Sequence, residues 1–352
     1  MKDTGHKFPY RWNLADGYPA KGIEYHGSKV FGTFICGGGS TMGYKLAGFD
    51  HLGGVEIDPK VAAVYKANHS PKHLFVEDIR DFVNREDLPP ELFELALLDG
   101  SPPCSSFSMA GNREKDWSKK KVFREGQSEQ VLDDLFFEYI KLAKRLQPKV
   151  VIAENVKGLI QGNAKAYVRE ITDKFREAGY IVQIFLLNAA SMGVPQKRER
   201  VFFVCQRNDM GFKKLRLDFQ EKAIPVGSIT DVSTEQDVSI FAGMAPYYEK
   251  CKQGASFSTV SPKGKNYWFN YIRLNQNIPA PTLSSASSDK LFHWSKPILL
   301  SNKMWQLCGT YPQDYDYKEI KPKYLIGMSV PPVAMAQIAH QIWLQWLSKK
   351  VN

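Results

Sequence analysis

The residues best suited to chemistry stand where short apolar runs end. Leu95–Leu98 is followed by Asp99-Gly100-Ser101-Pro102-Pro103-Cys104. Two prolines fix the backbone there, so Cys104 is presented on a rigid turn rather than inside a strand or a core helix. A cysteine attacks as its thiolate, which requires a lowered pKa or a nearby base. The next apolar run, Val150–Ala153, leads into Glu154-Asn155-Val156 and brings a carboxylate to the neighbouring strand end. A buried acid at such a place needs a partner. A third group, Gln196-Lys197-Arg198-Glu199-Arg200, precedes Val201–Cys205. Arg198 and Arg200 are two apart and face one side of a strand. They could hold a phosphate or a base carbonyl, or form a solvated charge run.

A second set of residues reads as a binding site. Phe34-Ile35-Cys36-Gly37-Gly38-Gly39 joins a strand to a helix. Consecutive glycines let the backbone turn tightly against a ligand, and a helix N-terminus favours a carboxylate or phosphate. Glu56 and Asp58 follow about 20 residues later, where an acid grips ribose hydroxyls in dinucleotide-binding folds. Asp78 follows the third strand. These features fit NAD enzymes as well as methyltransferases.

The elements needed to hold these residues are legible in the apolar periodicity. The pattern predicts strands at Val30–Ile35, Gly54–Ile57, Leu74–Val76, Leu95–Leu98, Val150–Ala153, Ile181–Leu187 and Val201–Cys205. It predicts helices at Ser40–Ala47, Val61–Asn68, Leu132–Leu146, Ala166–Ala178 and Val333–Leu347. Strand and helix alternate, so an α/β fold with a doubly wound, mostly parallel sheet follows. Ligands in such sheets lie beyond the carboxyl ends of the strands, where all the residues above stand. Residues 1–29 read as an irregular arm. From about residue 208 the texture becomes irregular, with scattered aromatics such as Tyr267, Trp268, Phe269 and Tyr271. The division expected is a catalytic and cofactor-binding domain at 1–207, completed by 320–352, and a smaller irregular domain with its hinge at 208–319.

Forty-seven Lys and Arg against 37 Asp and Glu give a net charge of +10. Such a balance favours polyanions. Residues 194–216 hold seven Lys or Arg against two acids, which predicts a face toward a phosphate backbone. Five scattered cysteines without a CxxC pair speak against a disulfide framework or a zinc site and for a reducing compartment. His69 and His73 are separated by Pro71, which breaks a shared helix face, and no metal is expected. The opening residues lack the apolar core of a signal peptide, and no run reaches the ~20 apolar residues that span a bilayer.

Taken in order, these motifs resemble the DNA cytosine-5 methyltransferases. The resemblance rests on Phe34 with Gly37-Gly38-Gly39, Glu56-Ile57-Asp58-Pro59, Asp78-Ile79, Pro102-Pro103-Cys104, Glu154-Asn155-Val156 and Gln196-Lys197-Arg198-Glu199-Arg200. It continues in Pro279-Ala280-Pro281-Thr282-Leu283, in the segment from Leu307 to Tyr315, and in Gly327-Met328-Ser329-Val330-Pro331. Two positions depart from the family pattern. Cys36 replaces the first glycine of its Gly-rich turn, and Met328 replaces an asparagine. Both lie on the cofactor side.

The resemblance implies a fold, a reaction and a set of roles. The fold is that of S-adenosylmethionine-dependent methyltransferases with a small target recognition domain. Cytosine is flipped from a specific double-stranded DNA site into the pocket. Cys104 adds to carbon 6 and activates carbon 5, Glu154 shares a proton with N3, Arg200 contacts O2, and Arg198 braces the site. S-adenosyl-L-methionine supplies the methyl group and leaves as S-adenosyl-L-homocysteine. Phe34, Gly37, Gly38, Gly39, Glu56, Ile57, Asp78, Ile79, Leu135 and Ser329 would hold it. Ser105, Lys119, Lys120, Lys121, Arg124 and Gln196 would contact DNA, most of them from a catalytic loop at 105–131. The expected setting is a cytoplasmic monomer, bacterial or phage-encoded, without a membrane, serving restriction-modification beside a cognate endonuclease or self-protection. The alternatives are a tRNA cytosine-5 methyltransferase, whose Cys-Phe-Thr tripeptide is absent, and a catalytically silent DNA-binding homologue.

Overall fold

The structure, a computed structural model, describes residues 5–103, 134–229, 243–286 and 290–349. Its centre is a seven-stranded sheet. The strands are β1 (Lys29–Thr33), β2 (Asp50–Val55), β3 (His73–Phe75), β4 (Leu97–Gly100), β5 (Val150–Val156), β6 (Tyr180–Asn188) and β7 (Glu199–Arg207), in the order β3-β2-β1-β4-β5-β7-β6. Strands β1 to β5 pair in parallel, so their carboxyl ends share one edge. Strand β7 runs antiparallel between β5 and β6. The connection from β6 to β7, residues 189–198, is too short for the crossover of about a dozen residues or more that a parallel pair requires. The reversal has a consequence for chemistry: the start of β7 lies beside the end of β5, with Arg200 opposite Val156 and Phe202 opposite Glu154.

Alternation along the strands builds two apolar layers. Val30, Leu97, Val150 and Ile152 face one side, Phe31, Leu98, Val151 and Ala153 the other. Burying each such side chain contributes about 1.5–3 kcal/mol. The first side is covered by α1 (Gly39–Leu46), α2 (Pro59–His69) and, from far along the chain, the later helices. The second is covered by α3 (Ile79–Phe82), α4 (Leu135–Leu146) and α5 (Lys165–Glu177). Beyond the sheet lie α6 (Ala245–Tyr248), the short pair β8 (Tyr271–Arg273) and β9 (Lys290–Phe292), α7 (Asn302–Cys308), α8 (Pro322–Met328) and α9 (Pro332–Ile342). Met244, Tyr248, Cys251, Phe257 and Phe292 form a small core of their own. Leu215, Ile224, Leu283, Met304 and Trp305 instead join the layer beneath α9. The irregular N-terminal arm is pinned to the same layer: Phe8 and Trp12 are buried, and the Trp12 indole donates to the Thr310 carbonyl at 2.9 Å.

Helices α1 and α9 approach closely because α1 has no side chains at two contact points. A Cβ on Gly39 would stand 2.2 Å from the Val330 carbonyl oxygen, and one on Gly43 would stand 2.6 Å from that of Pro332. Neither obstacle is a flexible side chain. Gly39→Ala is therefore expected to destabilise the protein by about 1–3 kcal/mol. Equilibrium denaturation would measure the change, and an unaltered midpoint would refute the tight fit.

Candidate active site

The parallel strand ends frame a cleft. Its walls include Phe34 after β1, Glu56 and Ile57 after β2, Asp78 and Ile79 after β3, Ser101 and Pro103 after β4, and Leu135 at the start of α4. Six sequence-predicted cofactor residues therefore share one pocket. Glu56 is fixed there by backbone donors: Cys36 N–H reaches one oxygen and Asp58 N–H the other, both at 2.9 Å. Burial nevertheless pushes its carboxyl up to about 7, against the pull of those bonds. Asp58 caps α2, accepting from the Lys60 and Val61 amides. Asp78 caps α3 and receives both the amide and the guanidinium of Arg80 at 2.9 Å. The same guanidinium reaches Asp134, one residue before Leu135. Arg80 thus ties two walls of the cleft together, a role signalled only by its place in the first turn after an acid.

The glycines sit behind this pocket rather than in its wall. The Gly37 carbonyl accepts from the Tyr315 hydroxyl at 2.5 Å, and Gly38 caps α1 in the left-handed region. Their lack of side chains is demanded by the protein itself, by His69 at Gly38 and Val330 at Gly39. Cys36 also adopts positive φ, 48°. That conformation suits glycine, which makes this side chain a departure with a backbone cost. Its thiol lines the cleft, and desolvation pushes it up to about 12. Ser329 is placed otherwise than expected. Its hydroxyl is buried against the Tyr311 hydroxyl at 2.6 Å, and the cleft is lined instead by Met328 and Tyr324. Helix α8 ends at Met328, and the chain then turns inward.

Beside the cleft, at the junction of β4, β5 and β7, lies a buried ion pair. Arg200 Nε stands 3.0 Å from Glu154 Oε1, with side chains only 17% and 10% exposed. The two groups attract as charges, but no aligned hydrogen bond satisfies Oε1, so the carboxylate keeps acceptor capacity. Burial lowers the Arg200 pKa and Glu154 opposes it. The next residue, Asn155, donates its amide to the Pro102 carbonyl at 3.1 Å. That bond fastens the end of β5 to the Pro-Pro turn and holds Glu154 close to the entrance of the segment that starts at Cys104. Cys104, Ser105, Lys119, Lys120, Lys121 and Arg124 lie outside the described residues.

The family model for C-5 cytosine-specific DNA methylases matches residues 29–343. The chain belongs to this family. Among relatives, the Type II methyltransferase M.FnuDI of Fusobacterium nucleatum is 36% identical over 191 residues, which cover 54% of this chain and 50% of that protein. The chain thus matches about half the length of that relative. M1.HphI of Haemophilus parahaemolyticus, also a Type II methyltransferase, is 25% identical over 88% of this chain and 85% of its own. The crystal structure of a DNA modification methyltransferase encoded within an E. coli prophage superimposes with a TM-score of 0.70 at 17% identity. It covers 91% of this chain and 99% of the other, and its likeness is one of fold.

Two basic-cluster residues of this C-5 cytosine-specific DNA methylase are not where their polarity predicts. Gln196, expected on DNA, is 1% exposed. Its amide donates to the Cys308 carbonyl at 3.3 Å and accepts from the Leu283 amide at 3.0 Å. Both ends are used inside the protein, so it is withdrawn from the DNA contacts. Arg198 is buried as well. It donates to the carbonyls of Leu283 at 3.1 Å and Gly327 at 3.2 Å, and desolvation brings it down to about 9. It braces the segment that carries Met328 rather than touching a phosphate or a base. Arg207 pairs with Asp209 at 2.7 Å. The basic face expected at 194–216 therefore shrinks to exposed Lys197, Lys213, Lys214 and Arg216. No helix among the described residues is long and apolar enough to cross a membrane.

Proposed function

We propose that this methylase transfers a methyl group to carbon 5 of cytosine in a specific double-stranded DNA site, with Cys104 as covalent nucleophile. The observation that carries the reading is continuity: the wall of the cleft runs to Pro103, one residue before Cys104, and Asn155 joins the same turn to the strand end bearing Glu154.

The cleft fits S-adenosyl-L-methionine. Phe34, Ile57, Ile79 and Leu135 offer an apolar slot for a flat purine, Asp78 an acceptor for its amine, and Glu56 a fixed carboxyl for ribose hydroxyls. When bound there, the cofactor supplies an electrophilic methyl group. The residues do the rest. Arg200 holds the base O2. Glu154 shares a proton with N3, which offsets charge as the Cys104 thiolate adds to carbon 6. Carbon 5 becomes nucleophilic and takes the methyl group. Loss of its proton to a base then breaks the carbon–sulfur bond and frees the thiolate. The basic segment around Lys119, Lys120, Lys121 and Arg124, with Ser105, would meet DNA phosphates. Residues 208–319 would form the target recognition domain and hinge, and 1–207 with 320–352 the catalytic domain. Two relatives are Type II methyltransferases, which supports a cytoplasmic role in restriction-modification beside a cognate endonuclease.

The direct test is bisulfite sequencing of DNA from cells expressing the protein. The reading requires protected cytosines in one fixed sequence context, and it fails if the pattern equals that of cells without the protein.

Glu56→Ala is expected to weaken cofactor binding by about 10- to 100-fold, with little change in turnover at saturating cofactor. Because the native carboxyl titrates near 7, native affinity falls as pH is lowered through about that value, and the alanine variant loses this dependence. Calorimetric titration at several pH values measures both effects. Equal affinities would remove Glu56 from the ribose role.

A further inference from the structure

Two aromatic side chains stand in solvent at one tip beyond the small core. Phe269 is 70% exposed and Tyr267 50%. The residue between them is placed the other way. Trp268 packs against that core, with its ring centre 5.2 Å from that of Tyr247 and edge-on to it. Its φ is 60°, a conformation rare for a bulky residue and kept only where the surroundings enforce it. The enforcement is visible. The Ser256 hydroxyl donates to the carbonyls of Trp268 at 3.1 Å and Phe269 at 2.8 Å, and the Tyr271 amide donates to the Trp268 carbonyl at 3.0 Å. The tip is therefore held in one shape, with Trp268 as its anchor and the two flanking rings turned outward. An exposed aromatic pair on such a support marks a contact site.

The charge around the tip points to what it contacts. From residue 250 to 288 the sequence has no Asp or Glu. Lys250, Lys252, Lys263 and Lys265 are all exposed, and the Lys263 ammonium sits over the Tyr267 ring at 5.0 Å. A second copy of the chain would bring the same positive charges against these, so self-association through this face is opposed. A polyanion is favoured instead, and aromatic rings beside lysines suit one that carries flat bases along its phosphates. The tip is also tied to the catalytic half. Strand β8 leaves it at Tyr271, and the same stretch of chain reaches Leu283, whose amide and carbonyl are held by Gln196 and Arg198 just before β7.

We infer that this tip is a DNA contact surface, in which Phe269 and Tyr267 touch bases of the target site while Lys263 and Lys265 meet its phosphates. Apolar contact with bases carries sequence information, whereas the ammonium groups carry none. The aromatic pair is therefore a determinant of which sequence is methylated. The inference rests on the site-specific DNA methylation proposed above.

The test uses the full chain and two labelled duplexes, one carrying the cytosine context returned by bisulfite sequencing and the other the same bases scrambled. Phe269→Ser is expected to weaken binding to the first about 5- to 50-fold and to leave the second nearly unchanged, with the salt dependence of both as in the native protein. Tyr267→Ser acts in the same direction. Lys263→Gln and Lys265→Gln instead weaken both duplexes alike, and each lowers the salt slope by about one. All four side chains are exposed, so the thermal midpoints stay native. Native affinity of both serine variants for both duplexes overturns the proposal. So does a native dimer that Phe269→Ser converts to a monomer in sedimentation, because the rings then belong to a second copy. If bisulfite sequencing returns no fixed context, site-specific methylation itself fails and this inference with it. A clear context together with native binding by the serine variants removes only the tip.

Discussion

Serine at position 104 is expected to leave methyl transfer about 10³-fold or more below the native rate, while cofactor titration of the variant follows the native curve. A hydroxyl is far less acidic than a thiol and supplies almost no anion at neutral pH, so addition to carbon 6 stops. The described groups that would hold the cofactor, Glu56 with its Cys36 and Asp58 amides and Asp78 with Arg80, are untouched by the exchange. The tie between Asn155 and the Pro102 carbonyl also survives the exchange, so the turn keeps its place. Transfer of labelled methyl groups to DNA measures the first quantity and calorimetry the second. Native turnover by the serine variant would eliminate the covalent route.

Glu154→Gln is expected to reduce turnover by about 10²- to 10⁴-fold and to leave the thermal midpoint close to native. The two expectations separate chemistry from structure. An amide cannot exchange a proton with N3, so the catalytic loss follows. Its carbonyl oxygen can still face Arg200, whose Nε now lies 3.0 Å from Oε1. The guanidinium is therefore not stranded, and the several kcal/mol that breaking a buried pair costs is avoided. Methylation assays and differential scanning calorimetry provide the two readouts. A large loss of stability without a change in rate would reassign Glu154 to structure.

The strand ends were readable because each joins a strong local signal to a break in it. The runs before Asp99 and Glu154 are apolar on both faces, as buried parallel strands must be, and the polar residues after them mark the sheet edge. The second strand was harder. The apolar pattern points to Gly54–Ile57 while the strand spans Asp50–Val55, because Gly53-Gly54 has the composition of a turn although it pairs with β1. Long-range partners were the other blind spot. Gln196 was expected on DNA and Arg198 on a phosphate, a base carbonyl or as a brace of the site, and their burial is compensated by the carbonyls of Leu283, Cys308 and Gly327 and by the Leu283 amide. Nothing near residue 196 in the sequence announces those partners. Met328, read from the sequence as a departure on the cofactor side, does line the cleft. The family pattern pointed at Ser329, whereas the end of α8 decides which neighbour faces the cleft.

The close seating of α9 on α1 sets a condition on biosynthesis. A nascent chain carrying only the first half lacks the helix that fits against Gly39 and Gly43, and it also lacks Tyr311 and Tyr315, which close over the glycine turn. Its dinucleotide-like half has no lid until residue 342 has left the ribosome. A chain cut short before α9 would therefore leave the Gly-rich turn and α1 without the segment that packs against them.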